Sequence, residues 1–224
     1  MARTIKIPTP VGPVTGRLTT PKEGSGVGVL LAHGAGAGQE HPWMIAMATR
    51  LARAGFTTMT FNYAYTAEGR KAPDRLPKLV EVHAAAAEKL ARTVGDVVLA
   101  GKSMGGRVGG HVVAEGRFGA AGLVYLGYPL VSLGKADARD TSHIANVDIP
   151  QLFVSGTRDS MGPNDRVKAV AASVPNGTFV AIESGDHSFV PLKKTGMTLD
   201  DSLDAAVGSI SAWWDAQTGS GTRD

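Results

Sequence analysis

Residues 97–105 read VVLAGKSMG, and this stretch decides how the rest of the chain is interpreted. Its apolar half has the length and composition of a buried strand, and it runs directly into Gly101, Ser103 and Gly105. A G-x-S-x-G pattern between a strand and a helix is typical of a tight turn that exposes a serine hydroxyl at the helix N-terminus. Glycines suit the flanking positions because side chains there would collide with the neighbouring strand and helix. The stretch predicts a strand–turn–helix unit with Ser103 as a nucleophile.

Similar apolar runs recur along the chain, separated by segments with helical periodicity. Most are continuous rather than alternating, which is typical of strands buried on both faces of a parallel sheet. The runs are Val27–Ala32, Phe56–Phe61, Val97–Ala100, Leu123–Leu126, Gln151–Ser155 and Thr178–Ile182. Their alternation with helices predicts right-handed βαβ crossovers. The expected fold class is α/β, with a doubly wound, mostly parallel sheet of about eight strands and helices on both faces.

Helices and one sheet edge are also indicated by pattern. Apolar stripes with helical spacing run over Met44–Leu51, Leu76–Val94 and Leu203–Trp214. Thr198, followed three residues later by Asp201, resembles a capping box before the last stripe. Thr4–Ile7 and Val14–Leu18, separated by a turn with Pro and Gly, predict an antiparallel hairpin at the sheet edge.

The length of 224 residues favours one domain, which we place at residues 1–218. The last six residues, 219–224, read GSGTRD and predict a disordered tail. Residues 131–148 are polar and lack a clear period. An insertion there would lie over the carboxyl edge of the sheet, and its short length predicts no sizeable lid.

Composition argues against several classes of protein. The formal net charge is +3, and no run of like charges forms the basic patch that nucleic acid or an anionic membrane would require. The chain contains no cysteine, which excludes disulfides, cysteine nucleophiles and thiolate metal sites. The N-terminus lacks the apolar core of a signal peptide, and no apolar run approaches the roughly 20 residues that span a bilayer. We therefore expect a cytoplasmic protein without nucleic-acid or membrane partners.

Two other glycine motifs fit less well. Residues 34–38, GAGAG, follow a strand like a dinucleotide-binding turn, but Gln39 stands where the third glycine belongs and no acid ends the next strand. Gly101-Lys102-Ser103 ends like a phosphate-binding loop, but Asp96 occupies the position of that motif's first glycine. Neither pattern predicts a cofactor.

A serine nucleophile needs a base to take its proton and an acid to orient that base. The expected order in this topology is serine, acid, histidine, each after a different strand. Asp159 follows the strand in IPQLFVSGTRD, and His187 follows the strand that ends at Ile182. Because carboxyl ends of parallel strands share one sheet edge, Ser103, Asp159 and His187 are expected to form a catalytic triad.

Alternatives to these roles remain at each position. Asp159 could cap the turn before Pro163, and His187 could be a surface histidine. Asp186 is a rival acid, but neighbours on an extended loop point apart, so we interpret it as a hydrogen-bonding residue of the loop.

The developing oxyanion requires two backbone N–H donors. We expect one from Met104, after the nucleophile, and the other from the loop after Val27–Ala32, with Ala35 favoured over Gly36. His33 is expected to shape this loop. The remaining histidines are His41 and His143, which could reach the pocket, and His83 and His111, which we expect to be packed or at the surface. The chain lacks the spacing of a known metal site, so no metal is predicted.

Four motifs resemble those of a known family: HGAGAG, GKSMGG, GTRD and GDHSF. They resemble the α/β-hydrolase superfamily across nearly the whole chain, and in detail its small lidless branch, related to dienelactone hydrolase and named after a testis-expressed protein. The resemblance implies Ser103 as nucleophile, His187 as base, Asp159 as acid, an oxyanion hole at Ala35 and Met104, and no cofactor. Dienelactone hydrolase uses a cysteine nucleophile, so its substrate is not carried over.

The expected activity is that of a serine hydrolase of the carboxylesterase type. A small carboxylic ester is the first choice of acyl substrate, with thioesters and small amides behind it. Lys102, Arg107 and Arg158 lie near the site in sequence and suggest an acidic substrate, although Lys102 could equally pack away from the pocket. The alternatives are a non-catalytic, hydrolase-like binding domain, an acyltransferase with the same triad, and cofactor-free haloperoxidation. Oligomeric state is not encoded in any motif that we find.

Overall fold

Within the residues that the computed structural model describes (2–131, 137–145 and 147–219), eight strands pair into a single sheet. The strands are β1 (Arg3–Ile7), β2 (Val14–Thr19), β3 (Val27–Ala32), β4 (Thr57–Phe61), β5 (Asp96–Lys102), β6 (Gly122–Leu126), β7 (Gln151–Gly156) and β8 (Gly177–Ile182). Their order across the sheet is β1-β2-β4-β3-β5-β6-β7-β8. The sheet confirms the predicted α/β fold, because β1–β2 and β2–β4 are antiparallel and every later pair is parallel.

Helices connect the strands and cover both faces of the sheet. They are α1 (Pro42–Arg53), α2 (Ala64–Ala67), α3 (Leu76–Ala91), α4 (Met104–Ala114), α5 (Ser142–Ala145), α6 (Asn164–Ser173) and α7 (Leu199–Thr218), with a 3₁₀ turn at Lys193–Thr195. The predicted capping box begins α7, where Thr198 and Asp201 exchange hydrogen bonds. Among the described residues, no helix is both long and apolar enough to cross a membrane.

Successive side chains of a strand point to opposite faces of the sheet, and this divides the core into two layers. Leu30, Ala32 and Leu99 face the layer built with α3, α4 and α6. Their strand neighbours Leu31 and Ala100 face the opposite layer, built with α1 and α7. A strand buried on both faces has no polar side, and this explains why β3 and β5 are continuous apolar runs in sequence.

Two segments differ from the sequence-based expectation. The stripe predicted through Val94 ends as a helix at Ala91, and Val94 packs against the same core layer from the following turn. Within 131–148, the structure contains a bridge between Val131 and Ala138 and the single turn of α5, which is too short to produce a sequence period. Residues 132–136 and 146 lie outside the described part of the chain. The predicted tail begins at Gly219, the C-cap of α7, and residues 220–224 are also outside it.

Candidate active site

Ser103 occupies the sharp turn between β5 and α4. Its backbone has φ 50° and ψ −114°, a left-handed conformation that costs energy for a residue with a side chain. The turn is held in place because the Ser103 amide donates to the carbonyl of Leu126 on β6, over 3.0 Å. The strain places the hydroxyl at the carboxyl edge of the sheet and at the N-terminus of α4.

The two glycines of the motif permit close approach of three chain segments. A Cβ at Gly105 would lie 2.6 Å from the carbonyl oxygen of Ala32, and a Cβ at Gly101 would overlap the backbone of Gly106. Both contacts are with backbone atoms, which do not rotate away as a side chain would. The turn therefore requires glycine at both positions.

The structure brings the three predicted triad residues together. Nε2 of His187 lies 2.9 Å from Oγ of Ser103, and Nδ1 of His187 lies 2.8 Å from Oδ2 of Asp159. Asp159 sits in the turn after β7, and His187 sits in the loop after β8. Because the carboxylate accepts the proton on Nδ1, Nε2 is left with a lone pair directed at the serine hydroxyl.

Asp159 is buried and ionised. Burial would raise the pKa of its carboxyl, but hydrogen bonds from His187 and from two backbone amides outweigh burial, and the net pKa is lowered. The amides of Met161 and Gly162 donate to Oδ1 over 2.8 and 3.0 Å. The carboxylate therefore remains charged beside the imidazole, where it favours the protonated ring that forms when the histidine takes a proton.

Side chains from several elements fix the loop that carries His187. Nζ of Lys102 donates to the carbonyl of His187 over 2.5 Å, and Nε1 of Trp43 donates to the carbonyl of Ser188 over 2.9 Å. Asp186, the rival acid, accepts the amides of Ser188 and Val190 through its carboxylate. The loop is thus held from β5, from α1 and from within.

The predicted oxyanion loop passes beside the serine. A Cβ at Gly34 would lie 3.6 Å from Cβ of Ser103. His33 is fully buried, and burial lowers the pKa of its imidazole to about 4. The neutral ring bonds the carbonyl of Gly34 through Nδ1 over 2.8 Å, and its Nε2 accepts the amide of Tyr63 over 3.3 Å. His33 shapes its loop in this way.

The two predicted oxyanion donors lie on different elements. Ala35 follows Gly34 and is exposed to solvent. Met104 is the first residue of α4, and the first amides of a helix have no intrahelical acceptor. Both N–H groups thus belong to segments that border Ser103.

A cavity of about 470 Å³ opens above the serine. Apolar side chains supply most of its wall, which contains Pro42, Trp43, Met44, Met161, Val190 and Leu199. Its polar lining residues include His41, Lys102, Ser103, His187 and Ser188. Such a cavity accommodates a small, largely apolar group next to a reactive hydroxyl.

Of the three basic residues near the site in sequence, Lys102 lines the cavity, whereas Arg107 and Arg158 do not. Arg107 donates to the hydroxyl of Tyr128 and the carbonyl of Asp140, and Arg158 donates to the carbonyl of Ser184. Neither arginine lines the cavity, and Lys102 is bound to backbone. This arrangement gives little support to an acidic substrate.

Of the remaining histidines, His41 lines the cavity, whereas His83, His111 and His143 pack against other side chains. His41 caps α1 by accepting the amide of Trp43 and lines the cavity. His83 is buried against the hydroxyl of Tyr63. His143 stacks on His111 with ring centroids 3.8 Å apart and is absent from the cavity wall. In the described part of the chain, no group of three potential metal ligands is found.

Trp43 and Met161 contribute to the site but were not predicted from sequence. Trp43 directly precedes the predicted stripe Met44–Leu51, and an indole at that position is expected to be a core residue. Met161 follows Asp159 in a turn without period. A weak signal exists for Trp43, because it lies in the first turn of the helix that follows the oxyanion loop, and such helices border the site in this topology.

Comparisons with known proteins agree with this architecture. A family described as alpha/beta hydrolase domain matches residues 25–215. A serine hydrolase without a lid from Xanthomonas campestris is similar in structure, with TM-score 0.76, 20% identity, and 95% of this chain and 94% of that chain covered. Dienelactone hydrolase from Anabaena variabilis gives TM-score 0.74 and 20% identity, over 96% of each chain. Est1E from Butyrivibrio proteoclasticus with ferulic acid bound gives 0.78 and 18%, over 96% of this chain and 99% of that chain.

Proposed function

This chain belongs to the α/β-hydrolase domain family, and on that premise we propose that it is a serine hydrolase that cleaves small, apolar carboxylic esters through an acyl-enzyme. One observation carries the proposal. Ser103, His187 and Asp159 form an unbroken hydrogen-bond chain that ends at the floor of a mainly apolar cavity. A serine without such a partner is a poor nucleophile at neutral pH.

The first half of the proposed reaction forms the acyl-enzyme. Oγ of Ser103 attacks the ester carbonyl carbon while Nε2 of His187 takes the hydroxyl proton. The carbonyl oxygen becomes an oxyanion, which accepts hydrogen bonds from the amides of Ala35 and Met104. The carbon–oxygen bond of the alcohol then breaks, and the leaving alcohol takes the proton from His187.

The second half releases the acid. Water loses a proton to Nε2 of His187 and attacks the acyl carbon, which gives a second tetrahedral intermediate. Its collapse breaks the bond to Oγ, and the serine recovers its proton from the imidazole. Asp159 stays ionised throughout and stabilises the imidazolium in both halves.

The cavity wall favours an apolar substrate. Trp43, Met44, Met161, Val190 and Leu199 would gain contacts with a hydrocarbon or aromatic group, at roughly 25 cal/mol per Å² of apolar surface removed from water. The volume of about 470 Å³ suits a small ester rather than a long lipid chain. We expect short and medium acyl esters to react before charged ones.

A fluorophosphonate probe tests the proposal directly. It should label the wild type and fail to label Ser103→Ala and His187→Ala, since the first lacks the nucleophile and the second lacks its base. Ser209→Ala, on α7, is the matched control and should label like the wild type. Turnover of p-nitrophenyl acetate, butyrate and hexanoate should follow the same pattern. A folded wild type that neither labels nor hydrolyses these esters would instead indicate a binding domain.

A further inference from the structure

Lys102 places a buried ammonium one residue before the nucleophile. The residue is 9% exposed, and its Nζ donates to the carbonyl of His187 over 2.5 Å. The ring of Trp43 lies next to it, with the centroid 5.9 Å from Nζ. A buried ammonium is costly unless it is bound, so its location calls for a physical reason.

Among the described residues, no carboxylate lies within ion-pair distance of this ammonium. Desolvation by burial lowers the pKa of Lys102 to about 8, although the charges of Asp159 and Asp186 oppose this shift. An apolar side chain of the same length would fill the position at lower cost. The ammonium is therefore not there for packing.

The carbonyl that it binds belongs to a loop with unusual backbone. Asp159 fixes the ring of His187 at Nδ1, but it does not hold the main chain of the loop. Ser184 and Phe189, on either side, both have positive φ, at 59° and 67°. Such conformations persist only where surrounding contacts enforce them. Lys102 and Trp43 bind the consecutive carbonyls of His187 and Ser188.

We infer that Lys102 is a positioning residue whose ammonium holds the backbone of His187, so that Nε2 stays within hydrogen-bonding distance of Oγ of Ser103. The inference rests on the proposed function, because positioning matters only if the pair transfers a proton. Lys102 is the last residue of β5 and Ser103 follows it directly, so the end of one strand positions both the serine and the ammonium that holds His187. A displacement of about 1 Å in such a pair can lower the rate about 100-fold.

The competing role for this lysine is substrate binding. In that role Nζ would direct its hydrogen bond into the cavity, toward a carboxylate of the substrate. In the structure it directs the bond to the protein backbone. The two roles separate in kinetics, since positioning affects kcat for every ester and substrate binding affects KM for acidic esters alone.

The kinetic test compares Lys102→Met with Arg158→Met. Arg158 also donates to the carbonyl of a residue in this loop, Ser184, but lies outside the cavity lining. Lys102→Met should lower kcat by about tenfold or more for both p-nitrophenyl butyrate and p-nitrophenyl hemisuccinate, with KM within about twofold. Arg158→Met should stay within about twofold in both constants. A rise in KM for hemisuccinate alone, or unchanged kcat on both esters, overturns the inference.

Two controls keep this result interpretable. Thermal unfolding of Lys102→Met should show a Tm no lower than that of the wild type, because a buried charge has been removed; a structural lysine would give a lower one. Lys102→Gln, with a polar side chain one bond too short to reach the carbonyl, should match the kinetics of Lys102→Met. A wild-type kcat in Lys102→Gln would also overturn the inference.

A crystal structure of Lys102→Met tests the role of Lys102 without any measurement of activity. In Lys102→Met, His187 should move or occupy two conformers, so that the 2.9 Å contact with Ser103 is lost in at least part of the molecules. An unmoved His187 overturns the inference even if the wild type proves inactive toward esters. Failure of the probe on the wild type would count against the proposed function, whereas this measurement counts only for or against Lys102.

Discussion

Asp159 binds the imidazole of His187 through one carboxylate oxygen and the backbone of its own turn through the other. Oδ2 accepts the Nδ1 proton, while Oδ1 accepts the amides of Met161 and Gly162. The side chain of Asp159 is 0% exposed, and that of His187 is 21% exposed. The carboxylate is therefore fixed and buried, whereas the imidazole remains partly accessible from the cavity.

This relationship predicts that Asp159→Asn will lose activity without unfolding. An amide in place of Oδ2 no longer accepts reliably from Nδ1, and the ring is free to adopt the tautomer that presents a proton to Ser103. We expect kcat to fall by about 10³-fold or more. Asp186→Asn is the matched control, because an amide oxygen can still accept the loop amides; a similar loss there would contradict the assigned roles.

A second prediction concerns Gly105, where a Cβ would meet the carbonyl of Ala32 at 2.6 Å. Gly105→Ala should destabilise the fold by about 3 kcal/mol or more, since neither backbone segment can move aside without disrupting β3 or α4. Gly208→Ala, in α7 with no atom near its Cβ position, should instead stabilise by about 0.5–1 kcal/mol. Urea unfolding measures both, and equal effects of the two variants would contradict the close-approach argument.

A third prediction concerns the size of the acyl group. The side chain of Met161 lines the cavity, so Met161→Trp should reduce its volume. We expect kcat/KM for p-nitrophenyl hexanoate to fall about tenfold or more, with little change for the acetate. Met197→Trp, outside the cavity lining, serves as control. Equal losses on both esters would mean that the acyl chain lies elsewhere.

A fourth prediction follows from two fully buried histidines. Burial lowers the pKa of His33 to about 4 and that of His83 to about 3. Below pH 6.5 both histidines become protonated in the unfolded state but stay neutral in the folded state. The free energy of unfolding therefore falls as the pH drops from 6.5 towards 4. Each histidine then costs about 3 kcal/mol at pH 4. His83→Leu should flatten the slope of unfolding free energy over this range, and an unchanged slope would contradict the shift.

A fifth prediction concerns stability at alkaline pH. Desolvation by burial lowers the pKa of Lys102 to about 8 in the folded state, against 10.5 for the free side chain, even though Asp159 and Asp186 favour its charge. At pH 7 the buried charge costs as much as about 3 kcal/mol, so Lys102→Met should be the more stable protein by about 1–3 kcal/mol.

That advantage should shrink with pH. Between pH 8 and 10.5 the folded lysine is largely neutral while the unfolded one still holds its proton, so the penalty in the wild type shrinks across this range and vanishes near pH 10.5. Urea unfolding at pH 7, 9 and 10.5 would show the two curves converge. A constant difference, or a less stable Lys102→Met at pH 7, would contradict the cost assigned to the buried ammonium.

Sequence patterns predicted the fold because its central strands are buried on both faces. The continuous apolar runs at Val27–Ala32 and Val97–Ala100 are typical of interior strands, and they form β3 and most of β5. The two glycines around Ser103 were predictive for the same reason, since the tight turn tolerates few other residues. The short helices α2 and α5 were not predicted, because each has four residues, which is too few for a helical period to be visible in the sequence.

The contacts between distant loops were beyond sequence reasoning. The order of Ser103, Asp159 and His187 indicated one sheet edge, but the bond from Lys102 to His187 joins residues 85 positions apart and depends on how the last loop folds back. A lysine beside Ser103 suggested a charged substrate, whereas in the structure its ammonium donates a hydrogen bond to the backbone carbonyl of His187. Side-chain direction in an irregular loop is set by tertiary packing, which no local pattern encodes.

The order of strands across the sheet has a consequence for synthesis of the chain. Ser103 directly follows β5 and the loop at Gly34 follows β3, and these neighbouring strands both end within the first half of the sequence. Asp159 and His187 follow β7 and β8, which come later in the chain and lie next to each other at one edge of the sheet. A nascent chain can therefore assemble the serine turn long before His187 is available, and the contact between Ser103 and His187 forms only after β8 has joined the sheet.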